Sequence, residues 1–571
     1  MTTRLWRAVG VACLALFCGS CSTTKPTVEK AIDFNKLVEE FVYANLALSP
    51  VSATQAGYHT HNGVALDEAL DDFSPAGIAA QRMLLTELQA RLVALSPKTL
   101  DKEQAADLDV MKSNIQLSLL EMEWIQSYKH NPTVYVELAG NALFAPYELN
   151  YAPVEKRFEQ ITKRLEKMPV LFAQAKANLV DAPDVWNRVA QEENAGNIDL
   201  IDKELRAAVP AAQKAAYDAA ATKALAALRD FNSFLKGTLS NRTSDWRLGK
   251  DKYARKFEYT LSVGKTPEQL LAEAEAELNK TREEMAKLAA PKTVREALDE
   301  IAKQHATLDT YMAAAKKNLD QATAFVREKG LLTLPTQGNL QVIETPEFMR
   351  GIYAVGGFNP APALEPQLGA YYWVTPIPKS WSKDRVESKL REYNNFGLQQ
   401  LTIHEAMPGH YVQFEYANQV QPQSRRALRS IYGNGPYVEG WAFYTQQMMV
   451  EQGYYSDQPG MRLTLYKQIL RGISNTILDI RLQTMGMTDQ QALDLMINDT
   501  YQEKEEATAK LQRAQLSSCQ LPTYFAGWKG WLDARERFKQ KQGAAFSLKD
   551  FHERALKESA VPLPVLNRLL E

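Results

Sequence analysis

The sequence predicts a mainly α-helical protein with a small β-sheet near residues 331–377, and three observations predict it. From about Ala31 to Phe234 the chain is rich in Ala, Leu, Glu, Lys and Gln, with apolar residues at helical spacing, as in QRMLLTELQARLVAL and AAQKAAYDAAATKALAALRDF. Helix-start chemistry recurs further on: Thr266-Pro267-Glu268-Gln269 and Thr488 with Gln491 are capping boxes, and Ser547 with Asp550 is a weaker version. Strand-like material is confined to LLTLPT, NLQVIET and LGAYYWVTPI, separated by Gly- and Pro-rich turns. With 571 residues, 45% of them hydrophobic and 23% charged, the composition is globular and the chain can bury a large core. A formal net charge of -2 gives no overall attraction to nucleic acid or anionic membrane, so a polyanionic partner is not expected.

Taken in order, residues 1–20 read as a secretory signal: Arg4 and Arg7 precede an apolar run from Ala8 to Phe17, too short to span a bilayer as a mature helix. The small residues Gly19 and Ser20 before Cys21 resemble a bacterial lipobox, in which the cysteine is lipidated and becomes the mature N-terminus. Cys18 stands where Leu is usual, and plain cleavage near Ser20 is the alternative. With Cys21 lipidated, Cys519 is the one remaining thiol of the mature chain and no internal disulfide is possible. Residues 21–30 form a polar tether. Residues 31–240 make an N-terminal helical scaffold half, and residues 250–571 a second half that carries the chemistry and the small sheet. The stretch 237–265 loses the helical period and is expected to be the seam between them within a single structural unit. No later segment reaches 18 consecutive apolar residues. The expected location is thus exported, periplasmic or anchored to the outer membrane, with membrane contact only through the N-terminal lipid.

The informative residues are Thr402–Tyr411, T-I-H-E-A-M-P-G-H-Y. Histidine is scarce, seven in 571, yet His404 and His410 bracket Glu405. In an HExxH helix two histidines one turn apart bind zinc and the adjacent glutamate acts as base on water. Here the second histidine comes two residues late. Six residues of regular helix advance about 600°, which leaves His410 roughly 120° from His404. Pro408 and Gly409 loosen a helix. Either a local bulge returns both imidazoles to one side, or Pro-Gly ends the helix and His410 begins another element without metal. A third ligand is needed, and Glu439 is the one acid in Y-V-E-G-W-A-F-Y, costly to bury unless paired or metal-bound. A solvent-exposed place in the first helical turn is its simpler reading.

T-I-H-E-A-M-P-G-H together with E-G-W-A-F-Y resembles the bacterial domain of unknown function 885 family, many of whose members are lipoproteins and which is grouped with zinc peptidases of the gluzincin kind. The resemblance runs from about Ala31 to the C-terminus and includes the tail F-H-E-R-A-L-K-E-S-A-V-P-L-P-V-L. It implies His404, His410 and Glu439 as zinc ligands and Glu405 as general base. His552 matches the family's tail histidine, and Tyr524 lies in a segment similar to the family's Tyr-x-x-Gly stretch. Either of the two is expected to donate a hydrogen bond to the scissile carbonyl. By wider analogy the chain is similar to angiotensin-converting enzyme and the Taq-type carboxypeptidases, which implies a large helical body in two halves around a deep cleft.

The expected function is therefore that of a zinc-dependent metallopeptidase of the bacterial cell envelope that hydrolyses peptide bonds of oligopeptides. Alternatives are a zinc amidase acting on a non-peptide substrate and a non-catalytic envelope lipoprotein with a structural metal. Serine and cysteine hydrolases are disfavoured, because Gly-x-Ser-x-Gly is missing and Cys519 has no histidine near it in sequence. Tyr371, Tyr372 and Trp373 could form a sheet edge for an extended peptide or a core strand. Arg513, in a polar helical run, could anchor a substrate carboxylate, although most such arginines are solvated, and it is given no role.

Overall fold

The computed structural model describes residues 33–95, 99–335, 338–346, 350 and 355–571. The signal, the tether and Cys21 lie outside them. The chain is mainly α-helical with small sheets, as expected. Helix Lys214–Gly237 shows why the Ala-rich stretch folds so: Tyr217, Ala221, Leu225, Leu228, Phe231 and Leu235 fall on one buried stripe. The capping boxes form as read. Thr266 Oγ1 accepts from Gln269 N at 3.3 Å while Gln269 Oε1 accepts from Thr266 N at 2.9 Å, and Thr488 and Gln491 repeat the pair. Ser547 Oγ accepts from Asp550 N.

The expected seam needs correction. Helix Lys214–Gly237 does end there, but Gly249–Leu261 is a helix in which Tyr253, Phe257 and Leu261 make a narrow buried stripe. The charged residues around that stripe hide its period in the sequence. The apolar cores change over between Leu239 and Tyr253, and they do so a second time between Ile115 and Tyr135. One core is built from residues 135–239 with Val51, whereas Phe34–Ile115 share the other core with residues 253–566. Phe41 meets the Tyr432 ring at 5.0 Å, and fully buried Arg429 pairs with buried Asp107 at 2.8 Å.

The sheet has Ala370–Val374 in the centre, parallel to Leu340–Glu344 on one side and antiparallel to Gly356–Asn359 on the other. LLTLPT forms no strand over its described residues, Leu331 and Leu332 being buried without strand pairing. GGFN does form one, although its glycines carry no strand signal. The central place of Tyr371–Trp373 removes it as an edge for a peptide. Instead buried Tyr372 reaches Thr402, in the helix that bears the first histidine, at 3.3 Å. Among the described residues no helix is long and apolar enough to cross a membrane.

Candidate metal centre

Asn394 starts the first helix of the site, Asn395–Glu405, by accepting from Phe396 N and Gly397 N, both at 3.1 Å. His404 and Glu405 are its last two residues. The chain leaves the helix at Ala406 (φ -126°, ψ -71°), and Gly409 leads into a second helix, His410–Ala417. The Pro-Gly pair therefore breaks the helix completely, which goes further than a bulge. The break still brings the imidazoles together: their ring centroids are 4.8 Å apart at 86°. Gly409 makes this possible by close approach, since a Cβ there would lie 1.9 Å from the His404 carbonyl oxygen and 2.3 Å from that of Ile403.

Glu439 stands on the helix Gly435–Glu451, capped by the Asn434 side chain. It is not an exposed first-turn residue: its side chain is 19% exposed, and Oε2 lies 3.5 Å from His404 Nε2 and 3.6 Å from His410 Nε2. Two residues on, Trp441 Nε1 donates to the carbonyls of Pro408 at 2.9 Å and Gly409 at 3.2 Å, tying this helix to the turn between the histidines. Burial pushes the Glu439 carboxyl up, but the two imidazoles more than reverse this and hold it well below the usual carboxylate range. Burial likewise presses the His410 imidazole down, and Glu439 raises it above its ordinary value.

These three donors fit a metal ion. Glu439 Oε2 and His410 Nδ1 are buried without a hydrogen-bond partner. The separations of 3.5 and 3.6 Å are long for hydrogen bonds. They are close to the edge of a tetrahedron around zinc with bonds of about 2.0–2.1 Å, roughly 3.3–3.4 Å. Glu405 also brings a carboxylate oxygen within 4.8 Å of a ring nitrogen of each histidine. On its separations and its unpartnered oxygen Glu439 suits the third ligand position, and Glu405 would then stand beside the site.

The other wall comes from the helix Pro522–Gln542. It crosses the Glu439 helix backbone to backbone, a Cβ on Gly440 falling 2.4 Å from the Gly527 carbonyl carbon and one on Gly527 falling 2.1 Å from the Pro436 oxygen. This crossing sets Tyr524 over His404, with ring centroids 6.4 Å apart and planes at 21°. The Tyr524 oxygen accepts from Arg513 Nη2 and Gln520 Nε2, both at 3.3 Å, so its own proton is left to donate. Burial raises the Tyr524 hydroxyl, as does Glu439, while Arg513 opposes them, and the net shift keeps the phenol protonated. Sequence reasoning left Arg513 unassigned and missed Gln520 and Trp441. The small residue beside Glu439 in E-G-W was the one available sign of a close helix crossing.

His552 is not brought to the site. It is fully buried. Its Nδ1 bonds the Leu331 carbonyl and its Nε2 the Tyr444 hydroxyl, each at 2.8 Å, and its ring meets the Trp441 ring at 5.4 Å. Both nitrogens are used, so it cannot serve a substrate. It supports Trp441 from behind. Burial pushes its pKa down to about 4, so the ring is neutral at pH 7, with the proton on Nδ1 facing the carbonyl.

The profile of a family described as bacterial protein of unknown function (DUF885) matches residues 50–570. Among solved structures, a candidate lipoprotein of unknown function from Shewanella oneidensis aligns with TM-score 0.79 and 30% identity, over 94% of this chain and 100% of its own. A candidate lipoprotein from Colwellia psychrerythraea aligns with TM-score 0.77 and 19% identity, over 94% and 98%. A carboxypeptidase from Pyrococcus furiosus aligns at TM-score 0.42 and 10% identity, too distant to bear on function. Curated proteins gave no match.

Proposed function

The chain belongs to the DUF885 family, and from that premise and its two-histidine, one-carboxylate cluster we propose that it is a zinc-dependent peptidase of the bacterial cell envelope acting on oligopeptides. The observation that carries the reading is the unpartnered Glu439 oxygen set 3.5 and 3.6 Å from two imidazole nitrogens, with Glu405 adjacent. His404, His410 and Glu439 would hold the ion, and the donor set suits zinc. Zinc bound there supplies Lewis-acid chemistry, making water more acidic and a carbonyl more electrophilic.

The chain's own residues do the rest. The Glu405 carboxylate takes the proton of the attacking water and passes it to the departing amine. The free proton of Tyr524 donates to the carbonyl oxygen as negative charge gathers on it. Trp441, by holding the carbonyls of Pro408 and Gly409, keeps His410 and Glu439 in register. The names of the two similar solved structures support an exported lipoprotein attached through Cys21.

Metal analysis of protein purified without chelators, joined to cleavage-site mapping on a mixed peptide library set against non-peptide amides, tests this. About one zinc per chain and peptide cleavage are expected. Glu405→Gln should keep the metal and lose hydrolysis by about 10²–10⁴-fold. Metal-free wild-type protein, or zinc-loaded protein inert on every peptide, would end the proposal.

A further inference from the structure

Among the described residues, His410 Nδ1 is the one histidine nitrogen buried without a hydrogen-bond partner. The other ring nitrogen, Nε2, is turned to the site, 3.6 Å from Glu439 Oε2, so Nδ1 lies on the far edge of the imidazole. A neutral imidazole that gives its Nε2 lone pair to a metal must carry its proton on Nδ1. That proton is then a buried donor, and leaving such a donor unmatched is costly.

The matching acceptor stands one turn further along the same helix. Gln413 is 2% exposed, and its Oε1 is likewise buried without a partner. Both residues belong to the helix His410–Ala417 and are three positions apart, a spacing at which side chains share a face and the later one leans back over the earlier. Phe414, the other side chain at that face, offers no acceptor. Tyr411 and Glu415 are engaged elsewhere, the first donating to Asn339 Oδ1 at 3.2 Å and the second accepting from Asn418 Nδ2 at 3.3 Å. The backbone also fixes Gln413 at the turn between the histidines. Its N–H donates to the Gly409 carbonyl at 3.1 Å, the same oxygen that receives Trp441 Nε1 at 3.2 Å. The Gln413 side chain is near enough to His410 to add to the upward pull that Glu439 exerts on that ring.

We propose that Gln413 is the positioning residue of His410: its Oε1 accepts the Nδ1 proton, which fixes the tautomer whose Nε2 lone pair is free for zinc and holds the ring edge toward Glu439. The inference rests on the zinc site of the peptidase reading, but it concerns metal affinity, which is measured without turnover. One orphan donor and one orphan acceptor at this spacing satisfy each other by a small side-chain rotation. An amide also suits the place because it is a neutral acceptor. It orients the ring without adding a third negative charge to a buried site that already holds Glu405 and Glu439.

The test uses the mature chain and zinc itself. Gln413→Met keeps the length of the side chain and removes the acceptor, whereas Gln413→Glu keeps an acceptor. Zinc affinity is measured in competition with a chelator of known affinity, and the zinc-free proteins are melted beside it. Gln413→Met should bind zinc about 10–100-fold more weakly than wild type. Its zinc-free Tm should nevertheless equal or exceed that of wild type, because an unpartnered buried oxygen has been replaced by an apolar group. Gln413→Glu should bind zinc as tightly as wild type or more tightly. Unchanged zinc affinity in Gln413→Met, equal weakening by both substitutions, or a zinc-free Tm that falls in step with affinity would overturn the proposal, the last of these making Gln413 a packing residue only. Wild type that binds zinc tightly and cleaves no peptide would count against the peptidase reading alone, since the affinities still decide the role of Gln413. Wild type that takes up no zinc would end both.

Discussion

Gly409→Ala is the sharpest probe of how the histidines are brought together. The new Cβ would sit 1.9 Å from the His404 oxygen and 2.3 Å from the Ile403 oxygen. A tolerable carbon–oxygen contact is about 3.3 Å, so the turn must open by roughly 1.4 Å. Metal–ligand distances tolerate only about 0.2 Å, and His410, the next residue, would be carried out of range. Loss of one ligand position should weaken zinc binding by at least about 100-fold, near 2.7 kcal/mol at 1.36 kcal/mol per tenfold. The relaxed clash itself should cost apo stability about 1–3 kcal/mol. Competition with a chelator of known affinity measures the first effect, and thermal melts with and without zinc measure the second. Wild-type protein should gain Tm on adding zinc and the variant should gain little. Gly237→Ala, where nothing lies within 4 Å of the added carbon, is the control and should leave zinc binding unchanged. A Gly409→Ala protein that binds zinc within threefold of wild type would refute the reasoning.

The other two predictions use the same protein. Tyr524→Phe should keep full zinc occupancy and nearly unchanged KM while kcat falls about 10²–10³-fold, as expected for a donor used only as charge develops; a selective rise in KM would contradict this. His552 makes stability depend on acid. The unfolded ring binds its proton near pH 6.5 and the folded one only near about 4, so between these values the unfolded state holds more protons. The stability present above pH 6.5 is lost on acidification, up to about 3 kcal/mol by pH 4. Urea midpoints of wild type and His552→Gln between pH 7 and 4.5 should converge; parallel profiles would show that His552 does not govern the fall.

The cluster of His404, His410 and Glu439 was legible because its signals are chemical and local. Histidines are scarce, two of them flank a glutamate, and Glu439 is isolated in an apolar run. What the residues could not state was the path of the chain. Pro408 and Gly409 announced a disturbance, but whether it aimed His410 at His404 or away depended on how closely Gly409 passes the His404 carbonyl. His552 shows the opposite failure: its place in a recognisable tail suggested chemistry, while the bonds to Leu331 and Tyr444 that occupy it join residues far apart in sequence. Arg513 looked like any arginine in a polar helix because its neighbours Gln520 and Tyr524 come to it only when the next helix packs back. The fold class was legible from periodicity and caps. Gly249–Leu261 and Gly356–Asn359 were not, since one wraps a three-residue stripe in charge and the other builds a strand from glycine.

The division of the apolar cores has a consequence for the order in which a growing chain can fold. Residues 135–239 complete a core almost among themselves, with Val51 already made. Phe34–Ile115 emerge first, yet the surfaces they cover belong to residues 253–566. Vectorial synthesis therefore delivers a foldable middle between an early segment and its late partners. Tyr524 arrives within the last tenth of the chain, so a truncated product would carry the histidines without a finished site, and cutting near residue 240 would part the fragment that carries the histidines from four helices of its own core.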